Sequence, residues 1–147
     1  MTAYTQEWLC LQIVEKAADA IIFADKEGII RLWNSGAEAI FGYSAKEAIG
    51  ETLDLIVPEK LREKHWEGYR KVMDTGVTKY GSDVLSVPAL KNDNSRLSVE
   101  FTIVLLKNDS GKPIGTAAII RDVSERWQRE KELKKRLAEL EEREKKI

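Results

Sequence analysis

One stretch of this chain alternates apolar and mostly polar residues with a nearly clean period of two. Its apolar members are Leu97, Val99, Phe101, Ile103 and Leu105, separated by Ser98, Glu100, Thr102 and Val104. Successive side chains of a β-strand point to opposite faces of the sheet, so this alternation predicts a strand with one buried face. Such one-sided burial is typical of antiparallel sheets, and it restricts the chain to folds that cover one sheet face.

Turn residues divide the flanking sequence into further strands. Apolar runs at residues 21–25 and 29–34 are joined by a turn that contains Gly28, which predicts a β-hairpin. Residues 84–90 and 114–121 are also apolar runs bounded by turn signals. The chain is therefore expected to contain an antiparallel sheet of about five strands.

Helices are expected before and between these strands. Residues 5–17 carry spaced apolar side chains and predict a short amphipathic helix. Ser35 and Ser44 each precede a glutamate by three positions, the capping-box pattern that starts a helix, so two short helices are predicted. Pro58 suits the first turn of a longer helix that should end near residues 75–76.

Composition excludes several classes of function. The 24 basic and 25 acidic residues nearly balance, so nothing favours binding to nucleic acid. No run approaches the roughly 18 apolar residues of a membrane span, and the N-terminus lacks the pattern of a signal peptide. The single cysteine, Cys10, excludes a disulfide framework within the chain. We expect a cytoplasmic protein without membrane or nucleic-acid partners.

The composition changes sharply after Asp122. Residues 125–147 are almost entirely Glu, Lys, Arg, Leu and Gln, which favour helix. Apolar residues at heptad seam positions suggest a coiled coil, although Glu130 and Glu144 also fall on the seam. The seam residues are Leu133, Leu137, Leu140 and Ile147. The segment is interpreted as the coiled coil of a homodimer, and the alternative is a single solvated helix.

His65 is the one histidine of the chain, and it is predicted to lie on the buried face of the long helix. Leu61, Tyr69 and Val72 share that face at steps of three and four. Gly68, one turn later, is expected to leave a gap large enough for a flat ring. Two interpretations remain open: His65 is a ligand of a bound group, or it hydrogen-bonds a backbone carbonyl within the core.

The order of elements and five short motifs resemble the PAS domain family. The motifs are residues 23–28 (FADKEG), 30–34 (IRLWN), 41–44 (FGYS), 50–58 (GETLDLIVP) and 121–125 (RDVSE). The resemblance implies an α+β fold, with a five-stranded antiparallel sheet in the order 2-1-5-4-3 and helices on one face. It divides the chain into an N-terminal helical extension (1–17), a PAS domain (18–124) and a signalling helix (125–147). Family members are typically sensory or dimerisation modules.

Within the family, the helix around His65 is similar to that of haem-binding FixL-type oxygen sensors. Residues 63–69 (EKHWEGY) resemble the H-x-x-H-D-G-Y region of that branch, and the alignment continues without a gap from His65 to Ile103. The resemblance implies haem b with His65 as the proximal iron ligand and Tyr69 beside the porphyrin. It also implies cationic contacts from Lys71 and Lys79 to the propionates. The distal wall would be formed by Leu85, Phe101, Ile103 and Ala118.

Two departures from that branch bear on function. Leu85 stands where the oxygen sensors carry a distal arginine, and Trp66 stands where they carry aspartate. An apolar distal wall lacks a hydrogen-bond donor, which favours CO or NO over O₂, or a six-coordinate or structural haem. Flavin photochemistry and attachment of a coumarate chromophore are not expected, since the helices after Asn34 contain no cysteine.

The favoured function is a sensor that relays a gas or redox state from the pocket to the C-terminal helix of a homodimer. A downstream signalling domain or protein is a possible partner. The alternative is a PAS dimerisation module with an empty or metabolite-filled pocket. The N-terminal helix, with Trp8 and Leu11, is expected either at the dimer contact or docked within one chain. Catalysis is not expected, because no nucleophile–base set, phosphate loop or metal cluster is apparent.

Overall fold

A computed structural model describes residues 4–78 and 83–146 of the chain. It is an α+β fold in which one sheet carries helices on its inner face. The helices are α1 (Gln6–Lys16), α2 (Ser35–Phe41), α3 (Ala45–Ala48), α4 (Glu59–Thr75) and α5 (Ser124–Lys145), with a 3₁₀ turn at Leu53–Leu55. The strands are β1 (Ala20–Asp25), β2 (Ile30–Trp33), β3 (Leu85–Leu90), β4 (Arg96–Lys107) and β5 (Pro113–Asp122).

The sheet is antiparallel and its strand order is β2-β1-β5-β4-β3, as the family resemblance implies. The alternating stretch forms the middle of β4, which confirms the period-of-two prediction. Its odd-numbered residues face the helices, and Val99 is almost fully buried. One face of strand β4 therefore packs on the core, and its other face forms part of the outer surface of the sheet.

The core lies between the inner face of the sheet and helices α2 and α3. Phe41, Ile22 and Ile30 are its largest fully buried apolar side chains. Trp33 is also buried, and its indole Nε1 donates to the carbonyl oxygen of Tyr43 at 2.9 Å. Burying side chains of this size contributes about 1.5–3 kcal/mol each, so the hairpin and α2 form one packed unit.

The caps of the two short helices differ from each other. Ser44 forms the predicted capping box, because its hydroxyl accepts from the Glu47 amide and the Glu47 carboxylate accepts from the Ser44 amide. The prediction for Ser35 is wrong: Asn34 is the N-cap of α2, and Ser35 is its first residue. Asparagine caps as well as serine does, and here the side chain can face the core.

Asn34 is fully buried and joins three elements. Its Oδ1 accepts from the amide N–H groups of Ile21 and Ala37, at 2.8 and 2.9 Å. Its Nδ2 donates to the carbonyl oxygens of Val14 at 2.7 Å and Asp19 at 3.0 Å. The amide thereby ties the end of α1, the start of β1 and the first turn of α2 to one another.

Apolar side chains outside this core remain exposed on the two terminal helices. None of the residues of α1 or α5 is buried. Trp8 is 47% exposed and Leu11 is 62% exposed on α1. The coiled-coil prediction depends on residues that are also largely exposed, namely Leu133, Leu137 and Leu140, while Ile147 lies outside the described residues. No helix in the described part of the chain is long and apolar enough to span a membrane.

Replacing Asn34 by alanine should strongly destabilise the fold. The change leaves buried N–H and C=O groups of α1, β1 and α2 without partners, and each such group costs about 1–3 kcal/mol. We expect the free energy of unfolding to fall by roughly 3 kcal/mol or more in urea denaturation. The exposed neighbour Ser35→Ala is the control and should change stability by less than about 0.5 kcal/mol. Equal stability of the two variants would contradict the assigned role of Asn34.

Candidate functional site

The candidate site is formed by α4 and the inner face of the sheet. Helix α4 begins after Pro58 and ends at Gly76, which adopts the left-handed conformation (φ 70°) that terminates helices. The buried residues of α4 are Tyr69 and Met73, which pack with Ala24 of β1. This contact fixes which side of α4 faces the sheet, and His65 lies one turn before Tyr69 on that side.

His65 is half-buried, and one of its ring nitrogens has no partner. The Nδ1 atom is inaccessible to solvent and makes no hydrogen bond. The ring lies against two aromatic neighbours, with its centroid 4.9 Å from Trp66 and 5.9 Å from Tyr69. A buried polar atom without a partner is uncommon and costly, so the interpretation that His65 bonds a core carbonyl is not supported by this arrangement.

The charge state of His65 is set by its surroundings. Burial lowers the pKa of the imidazole below its ordinary value, and the carboxylate of Asp54 offsets part of this effect by raising it. The ring is therefore neutral near pH 7, because its pKa lies below 6.5. Neutral imidazole has a free lone pair and is the form that binds iron.

Trp66, the next residue, packs across the hairpin turn. Its indole Nε1 donates to Asp54 Oδ1 at 2.7 Å. Its ring covers Gly28, where a Cβ atom would overlap the six-membered ring of the indole. Gly28 has φ 80°, so the turn also requires glycine for its backbone conformation. Trp66 thus lies at the edge of the site and is partly buried.

Tyr69 is held by the end of β1. Its hydroxyl donates to the carbonyl oxygens of Ala24 and Asp25, at 3.1 and 2.5 Å. Burial raises the pKa of this phenol, so it remains a donor over the physiological range. The hydroxyl is used in the hydrogen bonds to the hairpin, and the ring is the part of Tyr69 that lies against His65.

The predicted distal residues share the inner face of the sheet. Leu85 pairs with Phe101 across β3 and β4, and Ile103 pairs with Ala118 across β4 and β5. Phe101 and Ala118 pack against the main core, whereas Leu85 and Ile103 belong to neither buried cluster. All four are partly exposed, although this is the helix-covered face of the sheet. The structure thus brings the four residues together as an incompletely covered apolar wall.

Other sequence predictions about this site need correction. Gly68 is exposed and a Cβ there would meet open space, so the predicted gap faces solvent and does not adjoin His65. Lys71 is exposed on α4, and Lys79 lies outside the described residues. The H-D-G-Y motif separates its histidine and tyrosine by three positions, whereas Tyr69 follows His65 by four, so an alignment on Gly68 and Tyr69 places Trp66, and not His65, at the motif's histidine. That difference rotates Tyr69 by about 100° around the helix, consistent with its contact to β1.

The sequence did not indicate that Asp54 and Gly28 both contact Trp66. Asp54 lies in the 3₁₀ turn before α4, where it accepts from Trp66 and forms a long ion pair with Arg62 at 3.9 Å. Gly28 was recognised only as a turn residue. Both contacts join segments distant in sequence, and no periodic pattern signals them.

Two features of the site bear on whether a haem could bind through one axial histidine. The Nδ1 atom of His65 is buried without a partner, and Phe101 and Ala118 belong to a partly covered apolar wall. In residues 4–78 and 83–146, no cluster of three His, Cys, Asp or Glu side chains could hold a metal ion directly.

The fold is that of an α+β domain whose family can be stated. The family model described as "PAS fold" matches residues 14–128, and the chain belongs to this family. The crystal structure of a PAS domain from Colwellia psychrerythraea superposes with a TM-score of 0.70 at 22% identity, over 80% of this chain and 96% of that one. That similarity concerns the fold alone.

Two curated relatives are named as sensors. The sensor protein FixL of Bradyrhizobium diazoefficiens is 30% identical over 139 residues, which are 92% of this chain and 26% of FixL. The oxygen sensor protein DosP of Escherichia coli is 27% identical over 95 residues, which are 65% of this chain and 12% of DosP. The chain thus spans about a quarter of the length of FixL and less of DosP.

Tyr69→Phe should loosen α4 from the hairpin. The change removes the hydroxyl that donates to two β1 carbonyl oxygens, and we expect a loss of about 1–2 kcal/mol in the free energy of unfolding. Tyr43→Phe is the matched control, because the Tyr43 hydroxyl makes no hydrogen bond within the described residues. A Tyr69→Phe protein as stable as Tyr43→Phe would show that the hydroxyl does not anchor α4.

The stability of the ligand-free protein should decrease as pH falls through the ordinary histidine range. The folded pKa of His65 is below 6.5, so between that pKa and 6.5 the unfolded chain binds more protons. Unfolding midpoints in urea should therefore drop as the pH falls through about 6.5, the ordinary pKa of histidine. His65→Leu should flatten this dependence, and an unchanged slope would assign it to other groups.

Proposed function

We propose that this chain is the sensory input domain of a signal-transduction protein, that it binds haem b through His65, and that it relays the state of the haem to α5 in a homodimer. The observation that carries the proposal is the buried Nδ1 of His65, which has no partner. An imidazole kept neutral by burial, with one nitrogen in an apolar interior, is suited to axial ligation.

Each side chain of the site has a defined role in this proposal. His65 would hold the iron, and the ring of Tyr69 would lie beside the haem while its hydroxyl donates to the end of β1. The wall that faces the group excludes water and is formed by Leu85, Phe101, Ile103 and Ala118. When bound, the haem supplies a coordination position for a diatomic gas.

The chemistry of the wall bears on which gas is detected. None of these four side chains carries a hydrogen-bond donor, and Leu85 replaces the arginine that the FixL-type branch provides. Gases that need no donor, CO and NO, are therefore favoured over O₂. A six-coordinate or structural haem would require a second protein ligand or a fully enclosed pocket.

Strand β4 is the proposed path from the site to α5. Phe101 and Ile103 project toward the site, whereas Ser98 and Glu100 contact the start of α5. The amide of Ser98 donates to Ser124 Oγ at 2.9 Å, and the amide of Val123 donates to the Ser98 carbonyl oxygen at 2.8 Å. Glu100 also forms an ion pair with Arg126. A displacement of β4 by the ligand would thus move α5 directly.

The homodimer is proposed from three uncovered apolar surfaces. The outer face of the sheet exposes Leu32, Val104 and Ile119, with 37%, 46% and 38% of their surfaces accessible. Helix α1 exposes Trp8 and Leu11, and α5 exposes its leucine seam. Clusters of exposed apolar side chains are typical of contact surfaces, and we propose that a second copy of the chain covers them.

The second candidate is a PAS dimerisation module whose pocket is empty or holds a small metabolite. The exposed apolar surfaces favour dimerisation in either case. In both candidates the domain itself performs no catalysis, and the output belongs to a downstream domain or partner protein.

Titration with haemin tests the proposal. Wild-type protein should give a saturable Soret band at one haem per chain, and His65→Ala should lose it while retaining the far-UV circular dichroism of the fold. The matched control, Lys64→Ala, removes an exposed neighbour and should bind like the wild type. Non-saturable uptake by the wild type, or equal binding by His65→Ala, would favour the module without haem.

A further inference from the structure

The orientation of His65 depends on its neighbour Trp66, which two distant segments hold in place. The centroids of the two rings are 4.9 Å apart and their planes cross at 74°, so the indole forms one wall of the imidazole site. If the indole turned, that wall would move. The contacts that hold Trp66 therefore decide how rigidly His65 is held.

The first contact is a hydrogen bond to a carboxylate. Trp66 Nε1 donates to Asp54 Oδ1 at 2.7 Å, a short distance for a neutral donor and charge-assisted in character. Asp54 is itself held to α4 by Arg62. The guanidinium donates to the carbonyl oxygens of Val57 at 3.0 Å and Asp54 at 3.3 Å, and it pairs with the Asp54 carboxylate at 3.9 Å.

The second contact is steric. The Trp66 ring lies on Gly28, and any side chain at that position would displace it. The hairpin turn thus supports one face of the indole, while Asp54 fixes its N–H edge. Trp66 also packs on Tyr69, with ring centroids 5.5 Å apart. The indole is restrained at its edge and on its faces, which leaves it little rotational freedom.

We propose that Asp54 and Trp66 are positioning residues for His65: together they fix the imidazole in the orientation from which it binds iron. This inference rests on the proposed haem function and adds residues that lie outside the pocket wall. Residues that orient a metal-binding histidine typically change metal affinity about 10- to 100-fold when removed.

Nuclear magnetic resonance of the haem-free protein tests the positioning step independently of haem. His65 is the one histidine of the chain, so its ring C–H signals are unambiguous. Asp54→Ala and Trp66→Phe should both shift these signals, since the ring current of the indole changes at the imidazole. Asp54→Asn keeps an oxygen acceptor for Trp66 Nε1 and should retain signals near those of the wild type.

Matched controls separate positioning from general effects of substitution. Asp74→Ala removes another carboxylate of α4, which is exposed, and Trp127→Phe removes an indole of α5 that is 46% exposed. Neither change should alter the His65 signals. Unshifted signals in folded Asp54→Ala, or equal shifts in the controls, would overturn the proposal.

Haemin titration of the same variants tests the functional consequence. Asp54→Ala and Trp66→Phe should weaken haemin binding about tenfold or more, and Asp54→Asn should recover most of the affinity. Wild-type affinity in both variants, despite shifted His65 signals, would overturn the positioning role. A wild-type protein that binds no haemin would instead refute the proposed function and the haem part of this inference, while the resonance data would still decide whether Asp54 and Trp66 orient His65.

Discussion

The fold depends on the buried side-chain amide of Asn34. This amide supplies hydrogen-bond partners to backbone groups of three elements. It satisfies groups at the end of α1, the start of β1 and the first turn of α2. Without a side chain that can both donate and accept, these backbone groups would be buried without partners. The same region reaches β5, because Arg121 contacts both oxygens of Asp19, at 3.2 and 3.1 Å. The N-terminal helix and the last strand are thereby coupled through one small area.

His65 contrasts with Asn34. Every polar atom of the Asn34 side chain is used, whereas Nδ1 of His65 is buried and unused. Burial that disfavours the charged form, together with a missing hydrogen-bond partner, makes His65 a locally destabilising residue. Folded proteins accumulate such costs at functional sites more than elsewhere, because the cost is recovered when a ligand binds. The surrounding contacts of Trp66 and Tyr69 are well satisfied and hold the destabilised ring in place.

Much of the architecture could be predicted from the sequence, because local patterns determine it. The alternation in β4 fixed its inner face, the glycine at 76 marked the end of α4, and the Ser44–Glu47 pair marked the start of α3. Prediction failed where long-range contacts compete with local ones. Asn34 took the N-cap that Ser35 was expected to provide, because an asparagine there also reaches Val14 and Asp19. The gap expected at Gly68 faces solvent. Helical spacing shows which residues share a face, but it does not show how the helix is rotated about its axis relative to the sheet.

The candidate site was predicted in part for the same reason. His65, Leu85, Phe101, Ile103 and Ala118 follow from periodicity and family resemblance, and the structure brings the last four to one face of the sheet. Asp54 and Gly28 become visible only once α4 is docked on the hairpin, because their contacts to Trp66 span 12 and 38 positions of the sequence.

The central claim is that a ligand held by His65 changes the arrangement of the α5 helices. Electron–electron distance measurement between spin labels tests it most directly. The label is placed at Lys135→Cys, an exposed site on α5, in a Cys10→Ser background. The account predicts that the inter-chain distance distribution differs between haem-free, haem-loaded and CO-treated protein, and that His65→Ala abolishes these differences. Identical distributions in all three states of the wild type, or equal responses in His65→Ala, would contradict it.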